Sequence, residues 1–77
     1  MNLTVKYFGL LAEVTGCSEE HIHFSEESMD QLLDTLYSKY PELKSKDFQM
    51  AYNNEIVTKG TKLSDGEIAF LPPFSGG

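Results

Sequence analysis

Ser28-Met29-Asp30-Gln31-Leu32-Leu33-Asp34-Thr35-Leu36-Tyr37-Ser38-Lys39-Tyr40-Pro41 is the stretch on which the fold turns. Its apolar residues, Met29, Leu32, Leu33, Leu36, Tyr37 and Tyr40, fall at i, i+3, i+4, i+7, i+8 and i+11, one stripe along an α-helix. Ser28 with Gln31 three residues on has the form of a capping box, each side chain bonding the other's backbone N–H. Asp30 in the first turn and Lys39 near the last complement the helix dipole. Pro41 stops the helix, because the residue before a proline is pushed out of the α region. The spacing predicts one helix over 29–40 with an apolar face that needs a second layer.

The flanking segments supply that layer. Leu3-Thr4-Val5-Lys6-Tyr7 alternates apolar and polar residues, the period of a half-buried strand with Leu3, Val5 and Tyr7 on one face. Phe8 puts a large aromatic on the other face. Gly9 releases the strand, and 10–15 reads as a helical turn ended by Gly16. A second strand is expected over 21–24, with Ile22 and Phe24 inward. Beyond the helix, a polar connector (42–47) leads to strands at 48–52 and Ile56-Val57, with Asn53-Asn54 as turn residues. Gly60 and Ser64-Asp65-Gly66 mark further turns. Residues 67–71 form the last strand, with Ile68 and Phe70 on one face, Ala69 and Leu71 on the other. One helix covers one face of a sheet, so the fold class is α+β in two layers. Hairpin, helix and returning strands make it a β-grasp, a mixed sheet covered by one long helix. The domain is expected over 1–71, followed by an extended tail over 72–77.

Seventy-seven residues make one domain, and a chain this short buries only about 60% of its unfolded surface. It has one thin core and no room for a deep substrate cavity, so catalysis by this chain alone is not expected. Twelve acidic residues against six lysines give a net charge of −6. A nucleic-acid partner calls for a basic footprint, which is missing. An acidic surface suits docking onto basic protein surfaces, and equally keeps a small domain in solution. One cysteine, Cys17, offers no internal disulfide. Residues 1–12 lack a signal-peptide pattern and no run approaches a membrane span, so a cytoplasmic protein with no membrane partner is expected. Cys17, His21 and His23 read as a solvated thiol and two exposed imidazoles, with no metal. Glu19, Glu20, Glu26 and Glu27 read as a solvated face.

The tail is where chemistry is expected. Pro72-Pro73 ends the last strand, since proline has no N–H for the ladder, and favours an extended path away from the fold. Six residues at about 3.3 Å each reach about 20 Å. Phe74 has no evident place in the core, and Ser75, Gly76 and Gly77 then dwindle to bare backbone. Two glycines let a chain enter a narrow channel, and a glycyl carboxyl carbon is open to adenylation and to a nucleophile. The bland alternative is a frayed terminus.

Asp65-Gly66-Glu67-Ile68-Ala69-Phe70-Leu71-Pro72-Pro73-Phe74-Ser75-Gly76-Gly77 closely resembles the C-terminal signature of the molybdopterin synthase small-subunit family (MoaD), roughly D-G-D-E-V-A-F-x-P-P-V-x-G-G. The likeness extends to the opening strand, to the turn at 11–16 and to Asn53 before Ile56-Val57. One acidic residue follows Asp65-Gly66 where the family commonly has two, and Phe74 stands for a smaller valine. The resemblance implies a ubiquitin-like fold and a sulfur carrier. In that family a ubiquitin-activating-type adenylating enzyme uses ATP on the terminal carboxylate, here Gly77, with Gly76 giving access. A sulfur donor then makes a thiocarboxylate. The tail enters the large subunit, in an expected heterotetramer, and sulfur passes to a pyranopterin precursor. No cofactor is expected on this chain itself. Phe8, Ile56 and Leu71 are the expected partner-binding residues on the sheet, joined by Pro72, Pro73, Phe74 and Ser75 of the tail. Three rivals share the frame: a carrier for thiamine or tRNA thiolation, a ubiquitin-like protein modifier, and a plain interaction domain with an inert tail.

Overall fold

The alternation at the start of the chain becomes strand β1 (Asn2–Tyr7), with Leu3, Val5 and Tyr7 buried. Helix α1 (Leu10–Thr15) follows and is capped by Gly16, whose N–H donates to the Ala12 carbonyl. Strand β2 (Glu19–His23) pairs antiparallel with β1. Helix α2 (Met29–Lys39), a 3₁₀ turn over Pro41–Ser45, and strands β3 (Gln49–Tyr52), β4 (Glu55–Val57) and β5 (Gly66–Leu71) complete the order. The computed structural model describes residues 1–25 and 27–73.

The five strands form one mixed sheet in the order β2-β1-β5-β3-β4. β1 and β5 run parallel at its centre, Val5 opposite Ile68 and Tyr7 opposite Phe70. β5 pairs antiparallel with β3, and β3 with β4. Asn53 and Asn54, both at positive φ (48° and 71°), make the two-residue turn between β3 and β4. α2 covers one face of this sheet as a two-layer β-grasp. Its Met29, Leu32, Leu33 and Leu36 are buried among Leu3, Val5, Tyr7, Ile68 and Phe70. The Tyr7 and Phe70 rings stack at 5.7 Å, and Phe48 meets Phe70 edge-on at 5.3 Å.

The first turn of α2 satisfies its N–H groups from two sources. The Ser28–Gln31 capping box forms as expected. The segment 58–63 lies alongside, so that Met29 N–H donates to the Thr61 carbonyl and Asp30 N–H to the Lys59 carbonyl, both at 2.9 Å. Those groups have no partner within a helix, so a neighbouring loop that supplies carbonyls removes a cost of burial.

Most element boundaries fall within one residue of the sequence reading, and two differences are larger. β2 starts at Glu19, two residues earlier than expected, because it follows β1 to the Lys6–Glu19 pair. The connector after α2 is a 3₁₀ turn with Leu43 fully buried, where a polar loop was expected. Proline suits the first position of such a turn, and a lone leucine among charges shows no periodicity. α2 itself ends at Lys39, and Tyr40 before the proline has left the helical region (φ −130°, ψ 82°).

Candidate functional site

The face of the sheet away from α2 is built by the same alternation that builds the core. Lys6, Ala69, Ala51 and Ile56 stand in one row across β1, β5, β3 and β4. The next row holds Leu71 opposite Gln49. Phe8 continues β1 beside it, its N–H donating to the Phe70 carbonyl at 3.1 Å. Phe8 is 44% exposed and Ile56 62% exposed. Leu71 is half-buried, and Ala51 is buried although it lies outside the core cluster. The structure therefore brings Phe8 and Leu71 to neighbouring positions. Ile56 lies two strands across, with Ala69 and Ala51 as a flat floor between. Leu10, 55% exposed, follows Phe8 closely in the chain. A Lys6–Glu67 ion pair (3.2 Å) borders the strip.

β5 ends at Leu71, so the chain leaves the sheet at the edge of this strip. Pro72 is half-buried and Pro73 exposed. Pro72 packs on Gly9, whose backbone (φ 59°, ψ −135°) presents no side chain to it. The remaining expected residues, Phe74, Ser75, Gly76 and Gly77, lie outside the described residues.

A second polar assembly was not legible. The Glu20 side chain, only 13% exposed, accepts hydrogen bonds from Tyr7 Oη (2.7 Å), Tyr40 Oη (2.8 Å) and Lys39 Nζ (2.5 Å). Glu20 thus ties β1, β2 and the end of α2, and does not belong to a solvated face. Burial alone would raise its carboxyl; the bonds from Lys39, Tyr7 and Tyr40 outweigh that and hold it below the usual range. Burial, then the bond to Glu20, pushes the Tyr40 phenol up to about 12, and raises Tyr7 further still. Cys17 is half-buried against the core, its Sγ 3.8 Å from Thr15 Oγ1 and 3.9 Å from Tyr40 Oη, so it is no free thiol in solvent. His21 and His23 are exposed on the far side of β2, their Nδ1 atoms 3.2 Å from Thr4 Oγ1 and 3.0 Å from Asn2 Oδ1. Among the described residues no group of three or more histidine, cysteine or acidic side chains could hold a metal ion. No helix among them is long and apolar enough to cross a membrane.

A five-stranded mixed sheet covered on one face by a helix defines the class of ubiquitin-like β-grasp domains. Residues 5–77 match the model of the ThiS family, and the chain belongs to that family. It is 31% identical to the molybdopterin synthase sulfur carrier subunit of Caenorhabditis elegans, covering 100% of this chain and 99% of that protein. With the subunit of the same name from Chlamydomonas reinhardtii it shares 35% identity over the full length of both. Among solved structures, small archaeal modifier protein 1 of Haloferax volcanii superposes with a TM-score of 0.84 at 26% identity, covering 100% of both chains. The complex of subunits 1 and 2 of the molybdopterin-converting factor from Helicobacter pylori gives a TM-score of 0.71 at 25% identity, again over 100% of both chains.

Proposed function

We propose that this chain is the sulfur carrier subunit of a molybdopterin synthase, loaded at the Gly77 carboxyl group. The observation that supports it is the apolar strip Phe8–Leu71–Ala69–Ala51–Ile56 at the point where β5 releases the chain toward Gly76-Gly77. A partner docked on this strip would receive the following residues into its own active site. The end-to-end likeness to two proteins bearing the sulfur-carrier name supports the same reading.

In this scheme a ubiquitin-activating-type enzyme joins the Gly77 carboxylate to the adenylate of ATP and releases pyrophosphate. A donor supplying sulfur at the hydrosulfide level displaces AMP and leaves a thiocarboxylate. The large subunit takes the loaded tail, in a heterotetramer, and its side chains direct sulfur to the pyranopterin precursor. This chain contributes docking and delivery; ATP belongs to the activating partner.

The likeness to an archaeal modifier protein supports a second reading, in which the activated carboxyl forms isopeptide bonds with target lysines. Both readings need adenylation. Incubation with the activating enzyme, ATP and a sulfur donor, followed by intact-mass measurement, separates them. Exchange of one oxygen for sulfur is the result expected of a carrier. Conjugates to lysine with no thiocarboxylate would replace the carrier reading by the modifier one.

A further inference from the structure

We infer that Gly9 is a positioning residue, whose bare backbone seats Pro72 and so sets the direction in which the chain leaves the sheet toward Gly77. Two independent features of Gly9 point there. Its dihedrals, φ 59° and ψ −135°, lie where residues with a Cβ are strained. The space its Cβ would take is filled by Pro72: a Cβ built there would lie 3.1 Å from Cγ and 4.0 Å from Cδ of that ring. Ring pucker lets the Cγ atom give by a few tenths of an ångström, but the φ of Pro72 is fixed by the ring, so a bulkier group must move the residue itself. A side chain at position 9 therefore moves Pro72 as a unit, and Pro72 is the first residue after β5.

The surroundings hold the other side of this contact still. The Phe8 N–H donates to the Phe70 carbonyl, so β1 and β5 stay paired up to the residues that meet in the seat. Tyr7, one residue before Phe8, is fully buried and bonded to Glu20. The backbone leading into Gly9 is thus held by its pairing, and Pro72, beyond the last residue of β5, is the freer partner. When Pro72 moves, Leu71, Ala69, Ala51 and Ile56 are held by their own strand pairings.

The inference rests on the reading that the Gly77 carboxyl group is the reacting one, and it predicts a particular kinetic split. Gly9→Ala and Gly9→Val should lower the kcat of adenylation more than they raise KM, since Leu71, Ala51 and Ile56 keep their strand positions and the chain is re-aimed only from Pro72 onward. A reacting group misplaced by about 1 Å can lose about 100-fold in rate. A drop of about tenfold for Gly9→Ala and about 100-fold for Gly9→Val is the expected scale. Pro72→Ala removes the ring from the seat, so Gly9→Ala added to Pro72→Ala should lower kcat no further than Pro72→Ala alone.

An arm independent of activity uses NMR on the free protein. A contact between the Gly9 Hα and Pro72 Hγ protons should be present in the native chain. The Cα–Hα signals of Pro72 and Pro73 should shift in Gly9→Ala, while those of Ala51 and Ile56 stay in place. Unchanged kcat in folded Gly9→Val, or multiplicative losses in the Gly9→Ala/Pro72→Ala pair, would overturn the inference. An inactive native chain that still shows the proton contact and the shifts would instead overturn the carrier reading and leave the seat intact.

Discussion

Glu20 shows how one side chain can be misjudged from its neighbours in sequence. Within Glu19-Glu20-His21 it reads as one of several solvated charges, yet it is the hub of three hydrogen bonds. The missed signal was strand register: once β2 begins at Glu19, Glu20 alternates with Ile22 and faces inward. Its consequence is a pH dependence with a definite sign. Because the folded carboxyl titrates below its ordinary value, the charged form contributes stability at neutral pH. That contribution is lost as pH falls from the ordinary carboxylate value toward the lower folded one. Tyr40 works the other way: raised from 10 to about 12, it contributes stability below pH 10 that is lost as pH climbs to about 12. Glu20→Gln should cost about 1–3 kcal/mol at pH 7, the scale of hydrogen bonds to a charged group. Urea melts from pH 7 down to pH 3 would show the variant's stability falling less steeply than the native chain's. Equal slopes would remove Glu20 from the account. Asn53 and Gly66, read in the sequence as turn residues and as part of the family resemblance, meet in space. Asn53 Oδ1 accepts from Glu67 N–H at 3.0 Å and sits where a Gly66 Cβ would go, 2.5 Å away. Gly66→Ala should therefore displace Asn53 and lower stability by about 1–2 kcal/mol, within the ordinary range for single substitutions, with Asn53→Ala giving a similar loss in thermal melts.

At the scale of elements, α2 was almost wholly legible, because its apolar stripe and both ends are written in adjacent residues. Ser28→Ala should cost about 1 kcal/mol, the usual value for an N-cap. Leu36→Ala, at a fully buried position, should cost about 2–5 kcal/mol. Chemical denaturation of the two variants would check the ratio as well as the sizes. What the stripe did not disclose is the segment 58–63 that supplies carbonyls to the first turn. Lys59, Thr61 and Lys62 have no apolar period, and their contribution is made by backbone, which no side-chain pattern records. The 3₁₀ turn escaped for a related reason, since Leu43 alone anchors it. The hairpin of β3 and β4 was legible from Asn53-Asn54, since few other residues accept two successive positive φ angles.

Over the whole molecule, the two faces of the sheet divide the work: one is closed by α2, the other carries the apolar strip. Phe8, Leu71 and Ile56 could be placed on the outer face by alternation and by family likeness. The floor of Ala51 and Ala69 between them could not be weighed, because alanine is equally at home in a core. Phe8→Asp and Leu71→Asp should stay folded, yet each should weaken binding to a large synthase subunit by about 2 kcal/mol or more, as charges placed in the centre of an interface do. Calorimetric titration beside thermal melts would test this, and unfolding of either variant would mark that residue as core. Deletion of Gly77 should change stability by about 0.5 kcal/mol or less, the scale of surface changes, while thiocarboxylate formation disappears. Turnover like that of the native chain would refute delivery by that carboxyl.

The place of β5 in the sheet has a consequence for the order in which the chain is made. β1 is the first strand to be synthesised and β5 the last, yet they lie side by side at the centre, pairing residues such as Leu3 and Gly66. Until β5 emerges, β1 with β2 and β3 with β4 have no strand to join them, and each pair has an open inner edge. Contacts that close such long loops form slowly, and open edges invite pairing with other chains. A nascent chain stalled before Gly66 is therefore the species in most need of a chaperone. Arrest of translation at successive lengths should show protection from protease arriving abruptly, once Leu71 has cleared the ribosome, and not helix by helix.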